Sequence, residues 1–273
     1  MLDKLLVFDI ETIPDTSVLV TLTGSETADP VEMRKELEQY HMAVSGGNPF
    51  PRQPFHRIVS IAMLVADISR DNGYEYYRNV RVSSLSSLRN TEKQLVEKFF
   101  NYVCEHLPRL VSYNGKTFDL PVLKYRAMKH AVAAEKLFKS GDRWNSYANR
   151  YSINWHCDLL ESLSDFGMSA RCRMAEVCSI LGIPGKINGM DGSRVADMFD
   201  SERLEDIDNY CEMDVLSTYL LYLSQALLRG IVTMDGFYSM CRDLRNYLTE
   251  QKSNHFRIFL DEWKNIDSRG LFL

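Results

Sequence analysis

Apolar positions along the chain fall into short blocks separated by turn-forming residues, and their period changes from block to block. Lys4-Leu5-Leu6-Val7-Phe8-Asp9-Ile10-Glu11-Thr12 is an apolar run of strand length that ends in two carboxylates one residue apart. Residues 57–66 and 74–80 read as two further strands joined across Asp71-Asn72-Gly73. Asn-Gly is a strong hairpin turn, so these two are expected to be antiparallel neighbours. Arg109 to Tyr113 reads as a fourth strand. Between and after them the period becomes helical. Thr91 and Gln94, in capping-box spacing, open a helix that buries Leu95, Phe99 and Val103. Pro121 sits in the first turn of a helix that continues through Leu123 and Met128. Ser169 caps a helix through Val177 and Leu181 that Gly182 ends, and residues 184–192 make a loop. A long helix starts near Ser201, runs through Ile207, Tyr210 and Leu216, and stops before Gly230. Strands in a meander and then alternating with helices describe an α/β domain, a mixed central β-sheet flanked by helices.

Two segments stand apart from this alternation. Residues 16–56 form an insertion after the first strand: Asp29-Pro30 reads as N-cap and first residue of a helix that Gly46-Gly47 stops. Pro49-Phe50-Pro51-Arg52-Gln53-Pro54 then forms a stiff connector. Because the insertion leaves from the carboxylate-bearing strand, it is either surface decoration or a wall of the site. Residues 237–248 and 256–263 have helical apolar spacing, suited to packing across the sheet or to a dimer contact. The expected division is a main domain over residues 1–230 and a helical extension over 231–273 packed on it.

Composition narrows the function class. The 273 residues are 45% apolar and 25% charged, enough for a substantial core, and a net charge of −5 excludes coating of nucleic acid through bulk positive charge. Cysteines at 104, 157, 172, 178, 211 and 241 form no C-x-x-C and no zinc pattern with histidine, and are read as reduced, mostly buried thiols. The N-terminus lacks leader character and no apolar run approaches the ~20 residues that span a bilayer. A cytoplasmic protein without membrane association is expected. Residues 120–150 are locally basic, with Lys124, Arg126, Lys129, Lys136, Lys139, Arg143 and Arg150 against Glu135 and Asp142. Trp144, Tyr147, Tyr151 and Trp155 accompany them, a mixture that suits single-stranded nucleic acid as well as a solvated face over aromatic core.

Three motifs hold the candidate chemistry. On a strand, Asp9 and Glu11 project from one face at roughly 6–7 Å spacing, close enough to share a cation, or else mark a solvated strand end. Asn114-Gly115-Lys116-Thr117-Phe118-Asp119-Leu120-Pro121 joins a strand to a helix, which makes Asp119 either a helix cap or a neighbour of the Asp9 strand. Tyr210 and Asp214 lie one helical turn apart, with Cβ atoms roughly 5–6 Å from each other, and can address one water or belong to an acidic surface.

Taken together, Asp-x-Glu, Asn-x-x-x-Phe-Asp and Tyr-x-x-x-Asp, in this order, resemble the DEDDy-type 3′-5′ exonucleases of the ribonuclease H-like superfamily. The likeness is closest to stand-alone exonucleases related to the proofreading domain of family B DNA polymerases, and spans residues 4 to about 228. The resemblance implies a hydrolase that releases nucleoside 5′-monophosphates from the 3′ end of single-stranded DNA, with RNA as the alternative substrate and a non-catalytic nucleic-acid-binding protein as a third reading. It implies two Mg²⁺ or Mn²⁺ ions held by Asp9, Glu11, Asp119 and Asp214, with Asp9 bridging them. Hard oxygen ligands suit these cations, and the cations in turn relieve carboxylate repulsion. Tyr210 is implied to orient the attacking water, and Asn114, Phe118 and Lys116 to grip the terminal nucleotide and its phosphate.

Overall fold

The structure, a computed structural model, describes residues 2–185 and 192–268. In chain order its elements are β1 (Lys4–Pro14), α1 (Leu19–Thr23), α2 (Pro30–Ser45), β2 (His56–Asp71), β3 (Tyr74–Ser86), α3 (Glu92–His106), β4 (Arg109–Ser112) and α4 (Asp119–Lys129). There follow α5 (Glu135–Lys139), β5 (His156–Asp158), α6 (Leu159–Leu163), α7 (Met174–Leu181), α8 (Val195–Asp200), α9 (Leu204–Leu228), α10 (Met234–Glu250) and α11 (Asn254–Ser268).

The strands form one mixed sheet in the order β3-β2-β1-β4-β5. β1, β2 and β3 pair antiparallel, whereas β4 runs parallel to β1 and β5 parallel to β4. The Asn72-Gly73 turn joins β2 and β3 as expected, with Asn72 and Gly73 both at positive φ. Alternation along β1 sorts its side chains onto two cores. Leu5 and Val7 pack with Ala62, Leu64 and Val111 under α9, α10 and α11. Leu6, Phe8 and Ile10 pack with Ile61, Met63 and Leu110 under α3 and α4. By the same alternation Asp9 and Glu11 fall on the α9 face.

Helix α9 changes character along its length. Its N-terminal half carries Glu205, Asp206, Asp208, Glu212 and Asp214, whereas from Val215 to Leu223 every residue is buried. Such a segment needs cover on its outer side too. The C-terminal helices provide it: Met240 and Leu244 of α10 and Phe259 and Trp263 of α11 are fully buried in the same core. The extension thus packs within the chain on α9 and β3.

Most helix ends fall where the sequence places them. Asp29 accepts from the Val31 and Glu32 amides to cap α2, Gly46 closes it in a left-handed conformation, and Thr91 and Gln94 form the capping box of α3. Two starts differ. Helix α7 begins at Met174 and not at Ser169, because Glu176 reaches back to the Arg173 amide (2.6 Å) and fixes the N-terminus there. The long helix begins at Leu204, because Glu202 adopts φ +56°, which separates it from the short α8. Most of the expected loop at 184–192, residues 186–191, lies outside the described residues. Among the described residues, no helix is long and apolar enough to cross a membrane.

The expected basic stretch divides into structural and exposed parts. Arg126, with its side chain 3% exposed, pairs with both Asp15 and Glu92, so it is a buried tie and not a surface cation. Lys129 joins it on Asp15 and His130 on Glu92. Tyr147 and Trp155 pack edge to face at 4.9 Å in the α3 core, whereas Trp144 and Tyr151 are exposed. Burial alone would raise the Asp15 carboxyl, but hydrogen bonds from Lys129, Ser17 and Arg126 outweigh it and hold it well below the usual carboxylate range. Its stabilisation is therefore present above the unfolded value of about 3.9 and lost as pH falls below it. Arg126→Met is expected to cost about 3 kcal/mol, at the lower end for a broken buried pair because Lys129 and His130 remain. Urea denaturation at pH 7 and at pH 3 checks this, and the loss should shrink at the lower pH.

Candidate active site

The site forms where β1 and β4 part. Parallel pairing between them covers only Leu5–Arg109, Leu6–Leu110 and Val7–Val111. Beyond Ser112 the chain turns away through Asn114 at φ +68°. Gly115 permits the turn, since a Cβ there would lie 2.4 Å from Ser112 Oγ. This leaves the Ile10 amide without a strand partner on that side, and the Asp119 carboxylate accepts from it at 3.1 Å. Asp119 is the first residue of α4; the N-cap is Phe118, whose side chain makes no capping bond. Between the two roles open to Asp119 in the sequence, the structure chooses a place beside Asp9.

From the other side of the sheet's rim, α9 brings Tyr210, Cys211 and Asp214. The Tyr210 hydroxyl donates to Asp214, and the Cys211 thiol lies 3.4 Å from the Asp9 carbonyl oxygen and 3.6 Å from its carboxylate Oδ2. Asp9, Glu11 and Cys211 each offer a ligand atom within 4.8 Å of the others, a candidate divalent-cation site. Glu11, Asp119 and Tyr210 are buried, and Asp9 and Asp214 are partly exposed.

Electrostatically the arrangement is under tension. Burial, then Asp119, Glu11 and Asp214 in turn, raise the Asp9 carboxyl well above its ordinary value, opposed only by the Cys211 contact. Burial likewise pushes Asp119 up to about 7, against the amides of Asp119 and Ile10 that favour its charged form. Burial and the carboxylates Asp214, Glu11 and Asp9 raise the Tyr210 phenol, so its hydroxyl stays protonated throughout the physiological range. Cys211 is also raised, by burial and then by Asp9, and remains a thiol. As a protonated thiol it steers Asp9 and offers a cation little. The remaining donors are carboxylate oxygens, the set that suits a hard divalent ion.

The connecting loop is organised by a residue that the sequence reading passed over. Asp158, at the end of β5, accepts from the Asn114 amide (2.9 Å) and the Lys116 amide (2.8 Å) while capping α6 through Leu160 (3.0 Å). Its sequence signal was the Asp158-x-x-Glu161 cap pattern after a three-residue strand too short to notice. Asn114 turns its side-chain oxygen to Thr117, and Lys116 donates from Nζ to the Arg150 carbonyl at 2.6 Å. Phe118 lines a cavity of about 570 Å³ that also reaches Glu11. The insertion lines that cavity as well, through Arg34, Glu38 and Phe50, so it walls the site and is not mere decoration.

A protein-family model, described as a predicted 3′-5′ exonuclease related to the exonuclease domain of PolB, matches residues 48–263. The chain belongs to this family. The family match includes the Asn114–Asp119 junction and the Tyr210–Asp214 helix and begins after the Asp9 strand. Among solved structures, the family B DNA polymerase from the hyperthermophilic archaeon Pyrobaculum calidifontis is similar at 18% identity, over 82% of this chain and 24% of the polymerase, with a TM-score of 0.50. That likeness shows the fold, the ribonuclease H-like α/β arrangement expected from the motifs. A product-bound exonuclease I aligns at 13% identity over 93% of this chain and 48% of the other, with a TM-score of 0.34. The chain thus spans about a quarter of the first protein's length and about half of the second's. No curated protein matches it.

Carboxylate repulsion at this site has a measurable sign. Asp9 has a raised folded-state value, so it stabilises the fold least at high pH: its contribution is intact below the unfolded value of about 3.9 and lost as pH rises through the folded one. In chelator, Asp9→Asn is therefore expected to match the native protein near pH 4. By pH 7 it should be the more stable of the two, since the native protein has by then lost the contribution of Asp9. Denaturant midpoints across that pH range check the difference.

Proposed function

We propose that the chain is a DEDDy-type 3′-5′ exonuclease that removes nucleoside 5′-monophosphates from single-stranded DNA with two Mg²⁺ or Mn²⁺ ions. The observation that supports this most is the convergence of Asp119, Glu11 and Asp214 on Asp9, with the Tyr210 hydroxyl bonded to Asp214. Residues 1–230 would form the catalytic domain and residues 231–273 its helical extension.

In this reading Asp9, Glu11, Asp119 and Asp214 are the residues that would hold the two ions. When bound, such ions offset the carboxylate charge and stabilise charge developing on the phosphoryl oxygens. The protein's own groups do the rest. Tyr210, kept neutral, orients the attacking water by its hydroxyl and does not act as a base. Water adds in line to the terminal phosphorus as the bond to the preceding O3′ breaks, freeing the nucleotide and leaving a new 3′-hydroxyl. Phe118 lines the cavity that would receive the terminal nucleotide; Asn114 and Lys116 are not among its lining residues and precede Phe118 on the loop that Asp158 holds. Burial lowers the Lys116 ammonium, and Asp158 counters this, leaving it suited to a nearby phosphate.

The test is degradation of 5′-labelled single-stranded DNA and RNA of matched sequence with Mg²⁺, Mn²⁺ or chelator. A metal-dependent ladder shortening from the 3′ end is expected, faster on DNA. Asp9→Ala should abolish it and Tyr210→Phe should slow it by about 10²-fold, the cost of a misplaced reactant. A faster RNA ladder would reassign the substrate. No ladder on either strand, with Mn²⁺ still raising the melting temperature, would leave a binding protein in place of an enzyme.

A further inference from the structure

The arm that crosses the cavity presents an aromatic ring whose exposure packing does not explain. Phe50 is 58% exposed, although it lies between two prolines that restrict its backbone. Its position is secured from three directions. Asn48 accepts from the Phe50 amide at 3.0 Å, and is itself bonded to Ser45 at the end of α2. His56 lies beside it with ring centroids 5.1 Å apart. That histidine is fixed by Thr12 at Nδ1 (2.9 Å) and by the Pro51 carbonyl at Nε2 (2.8 Å). Beyond His56, at 4.9 Å, stands Phe118. Farther along the arm, Gln53 Nε2 donates to the Thr117 carbonyl at 3.1 Å, tying the arm to the loop that delivers Asp119. On its other side, Arg34 of α2 pairs with Asp200 of α8 at 2.5 Å. A mobile decoration would need none of these ties.

The rings of Phe50, His56 and Phe118 line the same cavity as Glu11, whose volume of about 570 Å³ falls within the range that holds a nucleotide-sized ligand. Burial lowers the His56 imidazole, so this shelf is uncharged. A neutral aromatic face beside a carboxylate cluster offers little to a phosphate and much to a nucleobase, which it accepts without regard to sequence. We propose that Phe50 is a specificity-determining residue that stacks on the 3′-terminal base and admits it only when unpaired. This rests on the exonuclease reading for the identity of the ligand as a nucleic-acid 3′ end, and adds that the insertion selects the state of that end. A base-paired terminus is held by its edge to the partner strand, and the cavity has room for one nucleotide and not for a pair, so the terminal base must unpair before it can lie on the Phe50 ring.

The experiment measures binding, so that it stands apart from hydrolysis. Single-stranded DNA and RNA oligonucleotides carrying 2-aminopurine at the 3′ terminus or at an internal position are titrated with the full chain in Ca²⁺ or chelator. Native protein is expected to quench the terminal fluorophore and to bind the single strand more tightly than a blunt duplex. Phe50→Ala should lose the terminal quenching and bind about 5- to 150-fold more weakly, the cost of one lost base stack, and Phe50→Trp should restore both. An oligonucleotide ending in an abasic nucleotide should bind native and Phe50→Ala proteins equally. A penalty for Phe50→Ala that persists on the abasic end, or terminal quenching that survives Phe50→Ala, overturns the stacking role. So does a native protein that leaves the terminal fluorophore unchanged. Quenching that follows Phe50 without any hydrolysis in Mg²⁺ would instead uphold the stack and sink the exonuclease reading alone.

Discussion

A single backbone amide sets the geometry on which the site depends. β4 accompanies β1 for only three residue pairs, and after Val7 the parallel partner is gone. A buried strand amide left without an acceptor would cost on the order of 1–3 kcal/mol. Asp119 satisfies the Ile10 amide, and in doing so its carboxylate is drawn into the rim of the sheet next to Asp9. The short β4, the left-handed Asn114, the tight Gly115 and the anchoring Asp158 are all parts of the path that returns the chain to that one donor. A longer β4 would have satisfied Ile10 by ordinary pairing and left Asp119 with no reason to enter the site.

The scaffold supports a cluster that opposes its own folding. Carboxylates gathered at the rim raise one another's proton affinity, a destabilising contribution near neutral pH in the absence of a cation. The offset lies elsewhere along the same elements. β1 is apolar on both faces before it reaches Asp9, and α9 is buried at every residue from Val215 to Leu223. Each element therefore anchors by its apolar end and presents its acidic end to the site. Helices α10 and α11 matter for that reason: without cover on its outer side, the apolar half of α9 could not fix Tyr210 and Asp214 opposite β1.

Local chemistry made much of this legible. The Asn72-Gly73 hairpin, the Thr91 capping box, the Asp29-Pro30 helix start and the glycine stops at 46 and 182 are decided by neighbours within four residues, and each stands where the sequence places it. Ser169 failed as a cap for an equally local reason, since Glu176 offered a competing reciprocal bond four residues later. Less legible were roles that depend on contacts across long separations. Arg126 belonged by composition to a basic surface, but Asp15 and Glu92, more than thirty residues away, bury it. Asp158 is marked locally only as the cap of α6, and its hold on the Asn114 and Lys116 amides, like the contact of Cys211 with Asp9, spans 42 to 202 positions. The three carboxylate motifs were readable as a set because their order along the chain is characteristic, even though each had an ordinary local explanation.

The location of the insertion follows from strand direction alone. β1 and β2 are antiparallel neighbours, so the end of one and the start of the other meet at the same edge of the sheet, with Pro14 opposite His56. Glu11 lies three residues before that edge, at the register shift between Glu11 and Thr12. Whatever connects these strands must begin and end beside the carboxylates. Its length can vary at small entropic cost, since closure of a longer loop grows only logarithmically with length. What the chain's own residues decide is the surface shown to the site. Here the Asp15–Arg126 tie holds one end, the His56 hydrogen bonds hold the other, and the segment between them carries a helix and a proline-flanked aromatic over the cavity. The same topology that gathers the carboxylates therefore also obliges the insertion to stand over them.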